Sequence, residues 1–261
     1  STTLPNFEMP NRVLLSLPNL FIRSSLTLIT LYAILGVFVV WGVEFAGVDS
    51  DIAVIGGFMA VAAQFLISPF ILDISLRWFY SMRWLKEDEI PEHLLKFIDR
   101  VCNQEKIKRP TIGLIEDGSP QAFTYGYSPS SARIVLSRGL MDLLTEKEVE
   151  AVVAHEIGHA VHWDILLMSM AQAVPLILYR FYRALSKIAR ESRKEVSAVT
   201  GASALLAYIL YLISEYLVLW FSRTREYHAD RFSGYATNDP GHLASALVKI
   251  GYGLAKHNPA H

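Results

Sequence analysis

The chain has 261 residues, 52% of them hydrophobic, and a formal net charge of −1. This balance excludes the basic surface that nucleic-acid binding requires, so we expect no nucleic-acid partner. The single cysteine, Cys102, excludes a disulfide framework and a cysteine-based zinc site, and its amphipathic surroundings predict a small buried apolar side chain. Because so large an apolar fraction is unusual for a soluble chain of this length, we expect membrane-spanning segments.

Four apolar runs are candidates for transmembrane helices. The first two, residues 26–43 and 52–72, contain 18 and 21 residues without a charge, which is enough to cross a bilayer core. The second two, residues 165–179 and 196–221, form a later pair, for which a buried hairpin of a soluble domain is the alternative interpretation. All five tryptophans lie at or just beyond the ends of these runs, as in an interfacial aromatic belt: Trp41, Trp78, Trp84, Trp163 and Trp220.

The charges around these runs predict an orientation. The loop at 44–51 contains three acids and no Lys or Arg, whereas Lys and Arg flank the outer ends of the first two runs. The positive-inside bias therefore predicts that both outer ends, and the domain that follows, lie in the cytoplasm. The connection at 180–194 contains six Lys or Arg residues, which a full crossing of the second pair would place outside. The second pair either crosses the membrane or lies along it, and both interpretations stay open.

Residues 86–145 have the pattern of a small α+β unit. The sequence predicts a helix at 91–104 and short strands at 111–116, 121–127 and 133–136, separated by turn-forming Gly, Ser and Pro. An edge strand beside a metal-binding helix can bind an extended peptide by adding it to the sheet. An ordinary hairpin strand is an equally good interpretation. The candidate substrate-binding residues are Gln121, Ala122, Phe123 and Thr124.

A five-residue motif, His155-Glu156-Ile157-Gly158-His159, has the layout of a zinc hydrolase. Histidines four apart on a helix lie about 40° apart around its axis, so both imidazoles can bind one metal ion. Glu156 can take a proton from a water on that metal. Thr145 and Glu148 form a capping box that predicts a helix beginning near Glu146, which places the motif in a helix interior. The alternative is an ordinary helix with two surface histidines.

The third protein ligand must come from another segment. Glu226 and Asp230 lie four apart about 67 residues further on, and Glu226 can complete a His-His-Glu set. Asp230 can accept the outer N–H of a ligand histidine and hold its tautomer. Taken alone, Glu226 would more often pair with a neighbouring arginine on a solvated face. Glu215 is the competing carboxylate, although it lies within an apolar run.

Three segments together resemble a known family, the HtpX heat-shock membrane metalloproteases, which are related to the CAAX prenyl-protein proteases. The similarity runs from roughly residue 20 to residue 250. The segments that carry it are His155-Glu156-Ile157-Gly158-His159, Ser222-Arg223-Thr224-Arg225-Glu226-Tyr227-His228-Ala229-Asp230, and Ala122-Phe123-Thr124-Tyr125-Gly126 followed by Ile134-Val135-Leu136-Ser137. The resemblance implies that His155, His159 and Glu226 bind zinc and that Glu156 is the general base. It also implies a gluzincin-like protease fold on a helical membrane anchor.

The chain departs from that family in two places. Gln121 stands where members usually carry Asn before Ala-Phe. Members also have a C-terminal His-Pro-Pro segment followed by an Arg that binds the oxyanion, and no segment after Glu226 matches it. His228 and Arg231 are the remaining oxyanion candidates, although surface positions are the simpler interpretation of both. Because the chain also begins with Ser1, we expect a trimmed or partial chain.

The sequence therefore predicts a mainly α membrane protein with four candidate transmembrane helices and an α+β zinc protease domain. We expect a membrane anchor at 1–85 and a protease domain at 86–261, interrupted by a helical hairpin at 165–221. The expected activity is zinc-dependent hydrolysis of misfolded or damaged membrane proteins, with one Zn²⁺ per chain and the active site facing the cytoplasm from the cell (inner) membrane. A zinc-binding scaffold without activity and a specific prenyl-peptide protease remain as alternatives, and the sequence does not predict the oligomeric state.

Overall fold

The computed structural model of the chain describes residues 26–38, 70–191 and 194–257 and three single positions, 59, 66 and 67. Two helices, α1 (Leu26–Phe38) and α2 (70–80), precede a small sheet and six further helices. The strands are β1 (Arg83–Trp84), β2 (Thr111–Ile115), β3 (Ala122–Tyr125) and β4 (Arg133–Ser137). The remaining helices are α3 (Glu92–Glu105), α4 (Arg138–Leu143), α5 (Glu146–Val161), α6 (Asp164–Glu191), α7 (Lys194–Thr237) and α8 (Pro240–His257).

The four strands form one sheet in the order β1-β2-β4-β3, which leaves β3 at an edge. β2 and β4 are parallel and buried, whereas β3 runs antiparallel to β4. The three predicted strands are confirmed, but β1 was missed because two residues carry no readable alternation. β3 ends at Tyr125 because Gly126 adopts φ +145°, and a Cβ there would lie 2.6 Å from the Ser131 carbonyl oxygen.

Helix α3 confirms the amphipathic segment predicted at 91–104 and covers one face of the sheet. It buries Leu94, Ile98 and Val101 at helical spacing, together with Cys102, which is 3% exposed as predicted. These side chains pack against β2, β4 and α5 in one apolar core. On the other side of the sheet, Asp73 of α2 accepts hydrogen bonds from the hydroxyl of Tyr125 and, at 2.9 Å, from Arg133. The edge strand is therefore attached at its end to a helix of the N-terminal segment.

Helix α5 lies at the centre of the domain and is buried along most of its length. The predicted capping box is confirmed: the backbone N–H of Thr145 donates to Glu148 at 2.8 Å, and the helix begins at Glu146. Glu148 also accepts hydrogen bonds from Ser245 and Lys249 of α8, at 2.6 and 2.7 Å. This carboxylate thus fixes both the start of α5 and the position of α8 against it.

Helices α6 and α7 form a long hairpin that also packs against α1 through an apolar cluster including Leu31, Val174 and Phe221. By length and composition, Asp164–Glu191 and Ser197–Thr237 could each cross a membrane. Only 28% of the most apolar window of each helix is buried, which argues against the hairpin of a soluble core. Of the first predicted pair, the run at 26–43 is described as far as residue 38, where it forms the shorter apolar helix α1, and the run at 52–72 lies mostly outside the described residues.

Candidate metal centre

The two histidines of the five-residue motif meet on one face of α5. Their Nε2 atoms lie 3.1 Å apart, and their rings are nearly perpendicular with centroids 4.8 Å apart. This arrangement follows from helix geometry, because positions i and i+4 are neighbours along one face. Both side chains are largely buried, His155 at 14% and His159 at 16% exposed.

Glu226 reaches the same point from α7. Its Oε2 lies 3.4 Å from Nε2 of His155 and 3.8 Å from Nε2 of His159. Among the described residues, these three side chains form the one group of three or more His, Cys, Asp or Glu with all ligand atoms within 4.8 Å of one another. Glu215 lies elsewhere on α7, beside a cavity of about 360 Å³ between α6 and α7.

Gly158, within the motif, allows α7 to approach α5. A Cβ at this position would lie 3.2 Å from both Cα of Ala229 and Cβ of Phe232, closer than about nine in ten of the contacts that Cβ atoms make. Ala229 lies three residues after Glu226, so this contact places Glu226 at the level of the histidines. The lack of a side chain at Gly158 therefore permits the short distance between the two helices that carry His155, His159 and Glu226.

The carboxylate of Glu156 faces the edge strand β3. Its side chain is 8% exposed, and the hydroxyl of Thr124 donates to its Oε2 at 2.7 Å. Directly before β3, the carbonyl oxygen of Gln121 accepts a hydrogen bond of 2.9 Å from the backbone N–H of Ser137. This bond and the register of the two strands determine which backbone groups of β3 face β4. Because backbone groups alternate in direction along a strand, the N–H and C=O groups of Ala122 and Thr124 point away from β4, to the outer edge of the sheet.

Each histidine has a carboxylate behind it. Oδ1 of Asp230 lies 3.0 Å from Nδ1 of His155, at an angle that falls short of a hydrogen bond. Nδ1 of His159 is hydrogen-bonded to Oδ2 of Asp164 at 2.8 Å. Burial alone would lower the pKa of His159, but the hydrogen bond and negative charge of Asp164 raise it above its ordinary value.

Asp164 was missed by the sequence analysis. The available signal was an acid five residues after His159, at the first position of the next helix. The oxyanion candidates are placed differently from one another. The surface position expected for His228 is wrong, because this residue is buried with its ring 6.2 Å from that of His162. Arg231 packs over Tyr227 and Tyr235 and donates to the Tyr235 hydroxyl at 3.1 Å.

The donor set fits a zinc ion. Zinc bound by two imidazoles and a carboxylate at about 2.1 Å in tetrahedral geometry holds its ligand atoms about 3.4 Å apart. The three separations here, 3.1, 3.4 and 3.8 Å, lie around that value. Three protein ligands also leave a fourth position for water, as catalytic zinc sites require.

Comparison with known proteins identifies a peptidase family and several related proteases. The family model described as peptidase family M48 matches residues 85–260. A protease HtpX homologue from Methanothermobacter thermautotrophicus is 36% identical over 194 residues, which cover 74% of this chain and 70% of the relative. Protease HtpX of Pseudoalteromonas atlantica is 29% identical over 219 residues, 78% of this chain and 73% of the relative.

Protease HtpX homologue 2 of Methanosarcina acetivorans is 31% identical over 203 residues, which cover 75% of this chain and 65% of the relative. Among solved structures, S. mikatae Ste24p matches with a TM-score of 0.51 and 22% identity. That match covers 92% of this chain and 60% of Ste24p, and it indicates a shared fold. The chain thus spans less than two thirds of some of the proteins it resembles.

The family match and the protease relatives place this protein in the class of membrane metalloproteases. A group of three side chains that could hold a metal ion, next to a long hairpin with an exposed apolar surface, agrees with that class. Because the family model matches residues 85–260, more than half of the chain, the chain belongs to peptidase family M48.

Proposed function

We propose that this protein is a zinc endopeptidase in which His155, His159 and Glu226 bind one zinc ion per chain. The observation that carries the proposal is the convergence of three ligand atoms within 4.8 Å, from two helices, at separations that suit tetrahedral zinc. Asp230 and Asp164 stand behind His155 and His159 and orient the two imidazoles.

When bound, zinc polarises the scissile carbonyl and lowers the pKa of a bound water towards about 7. Glu156 is the general base that accepts the proton of the attacking water and later returns it to the leaving amine. Its low exposure and the hydrogen bond from Thr124 hold the carboxylate in one orientation beside the ligands. A fixed base avoids reorganisation during proton transfer.

The substrate is an extended polypeptide that pairs with β3. The free N–H and C=O groups of Ala122 and Thr124 offer the main-chain partners for such β-augmentation, directly beside Glu156. Gln121 and Phe123 pair with β4, so their backbone groups are already used. Recognition through main-chain groups suits a protease that accepts many unfolded sequences.

The protease acts at the cell (inner) membrane with its site on the cytoplasmic side, and its substrates are misfolded or damaged membrane proteins. The exposed apolar surface of α6 and α7 supports an integral position in the bilayer, and the Lys and Arg residues around the first predicted pair support the orientation. The match of the family model from residue 85 supports a division into an anchor at 1–85 and a protease domain at 86–261.

Substitution of Glu156 by Gln tests the proposal. The amide keeps the shape of the side chain but cannot accept the proton, so we expect proteolysis of an unfolded casein-like substrate to fall by at least about 10²-fold. Zinc content, measured by mass spectrometry of the protein purified in detergent, should stay at one per chain. Retained cleavage would refute the general-base assignment. Full zinc content without cleavage by the unsubstituted protein would instead favour a metal-binding scaffold.

A further inference from the structure

A buried ion pair joins the two arms of the hairpin next to the metal centre. Asp164, the first residue of α6, pairs with Arg225 of α7, and both residues are 3% exposed. The guanidinium of Arg225 also donates to the backbone carbonyl of His162, the residue directly after α5. One side chain on the C-terminal half of α7 thus contacts both the end of α5 and the start of α6.

The two oxygens of Asp164 have different partners. Oδ1 faces Arg225, whereas Oδ2 is hydrogen-bonded to Nδ1 of His159 at 2.8 Å. His159 therefore presents Nε2 to the metal position while its other nitrogen is held by a carboxylate whose charge is balanced by a buried guanidinium. Asp230 behind His155 is 49% exposed, so water can solvate its charge without an arginine.

A purely structural role does not account for this pair. Removing two charges from water costs several kcal/mol per ion, and apolar residues of similar size often stabilise a fold as well or better. The location offers a reason to keep the pair. The first turn of α6 favours the carboxylate, and the carbonyl at the end of α5 favours the cation, so each charge also contacts a helix end of opposite polarity.

We propose that Arg225 is a positioning residue for the metal centre. It holds the carboxylate of Asp164 in place against His159, and it ties the position of Glu226, the next residue along α7, to the end of α5. The metal site is then complete only when the two hairpin arms lie together at this level. The inference rests on the zinc site proposed above.

Zinc affinity of the full chain in detergent tests this role, measured by competition with a chelator. Arg225→Met removes the charge at similar length, and we expect zinc affinity to fall roughly 10- to 100-fold, as for other partners of ligand histidines. Arg225→Lys keeps a charge without the planar fork, so its loss should be smaller. In Co²⁺-loaded protein, the visible absorption should change in Arg225→Met, since it depends on the ligand arrangement.

Lys249→Met is the matched control. It also removes a cation from a buried carboxylate, Glu148, which is 2.7 Å away on α5, but Glu148 does not contact the metal ligands. We expect a lower unfolding temperature in this variant, with wild-type zinc affinity and Co²⁺ absorption. The double variant Asp164→Asn, Arg225→Met should bind zinc no more weakly than Asp164→Asn alone, because both substitutions break one chain of contacts.

Three outcomes separate the possibilities. Wild-type zinc affinity and Co²⁺ absorption in Arg225→Met would overturn the positioning role, even if the unfolding temperature fell. Independent, additive losses in the double variant would also overturn it. If the unsubstituted protein bound no zinc, the proposed function itself would fail before Arg225 came into question.

Discussion

Two glutamates compete for the third ligand position, and they lie on the same helix. Glu215 and Glu226 are eleven residues apart in α7, so about 16 Å separates them along the axis. Composition alone does not distinguish them, because each is a carboxylate close to the apolar run. The contact of Gly158 with Ala229 and Phe232 decides which turn of α7 faces the histidines, and that turn carries Glu226.

Substituting each glutamate by Ala tests this assignment. We expect Glu226→Ala to lose most of its zinc, since a metal with two remaining protein ligands binds far more weakly. Glu215→Ala should retain one zinc per chain. Metal content measured after dialysis against a weak chelator gives the answer. Equal loss in both variants, or loss only in Glu215→Ala, would show that the wrong carboxylate was assigned.

At the scale of single residues, local spacing predicted the positions that one helix brings together. His155, Glu156 and His159 lie close because they are within one turn of α5, and Asp230 lies near His155 because it follows Glu226 by one turn. Asp164 and Arg225 could not be predicted as a pair. They are 61 residues apart, and each on its own is an ordinary charged residue at a helix end or on a helix face.

Among the elements, the packing of α5 on α7 depends on the absence of a side chain at Gly158. We expect Gly158→Val to push the helices apart and to weaken zinc binding at least about tenfold, since overpacking costs roughly 1–3 kcal/mol. Gly201→Val is the control on α7, where a Cβ would meet open space and zinc affinity should stay unchanged. Unchanged zinc affinity in Gly158→Val would mean that this contact does not set the ligand distance.

The link between α5 and α8 should depend on pH. Burial alone would raise the pKa of Glu148, but hydrogen bonds from Lys249, Ser245 and Thr145 outweigh it and hold the pKa at about 2, against 4.5 ordinarily. A lowered folded-state pKa stabilises the fold above pH 4.5, and this contribution is lost as the pH falls towards 2.

The metal-free protein and its Glu148→Gln variant can be compared by denaturant unfolding in detergent. We expect the variant to be less stable near pH 6 by roughly 1.5–3 kcal/mol, the usual value of hydrogen bonds to a charged group. The difference should shrink as the pH falls below about 4.5. A difference that stayed constant from pH 6 to pH 3 would contradict the assigned role of the ionised carboxylate.

Element boundaries were predicted well where one face of an element is buried. Helices α3 and α5 begin within a residue of their predicted starts because the capping box and the apolar spacing act locally. The apolar run at 165–179 forms only the first part of its helix, since α6 continues to Glu191. Its last three turns carry Arg180, Arg183 and Lys187 on exposed positions, so they remain helical without being apolar.

For the whole molecule, aromatic side chains lie at two levels of the α6–α7 hairpin. Trp163 and Trp220, each about half exposed, lie near the metal centre. Four tyrosines further along form a cluster with ring centroids 5.1 to 6.0 Å apart: Tyr179, Tyr182, Tyr208 and Tyr211. From Trp163 to Tyr179 and Tyr182 the helix rises roughly 24–29 Å, close to the thickness of a bilayer core. This separation between the two aromatic levels favours a full crossing of the membrane by the hairpin.

Cysteine labelling tests the crossing. In a Cys102→Ser background, single cysteines at Ser186 and Ser197 should react in intact cells with a membrane-impermeant maleimide, because a crossing hairpin exposes its basic connection outside. The positive-inside bias, with six Lys or Arg residues at 180–194, predicts protection until the membrane is permeabilised. Protection of both sites would refute the crossing and leave the hairpin on the cytoplasmic side.

The sequence by itself determined the features that depend on short spacing. The metal-binding motif, the start of its helix, the amphipathic α3 and the apolar character of the hairpin are all readable within a few turns or strands. The chemistry of a metalloprotease was already implied by which side chains share one face of α5, because helix periodicity fixes that face before any packing.

Only the tertiary structure decided which distant groups meet. The order of the sheet places β3 at the edge beside Glu156, the close approach at Gly158 selects Glu226, and the hairpin brings Arg225 to Asp164. These contacts join residues up to 74 positions apart, and side-chain volume and buried charge across helix interfaces determine them. A local sequence pattern does not predict such an interface, because the residues on its two sides come from distant parts of the chain.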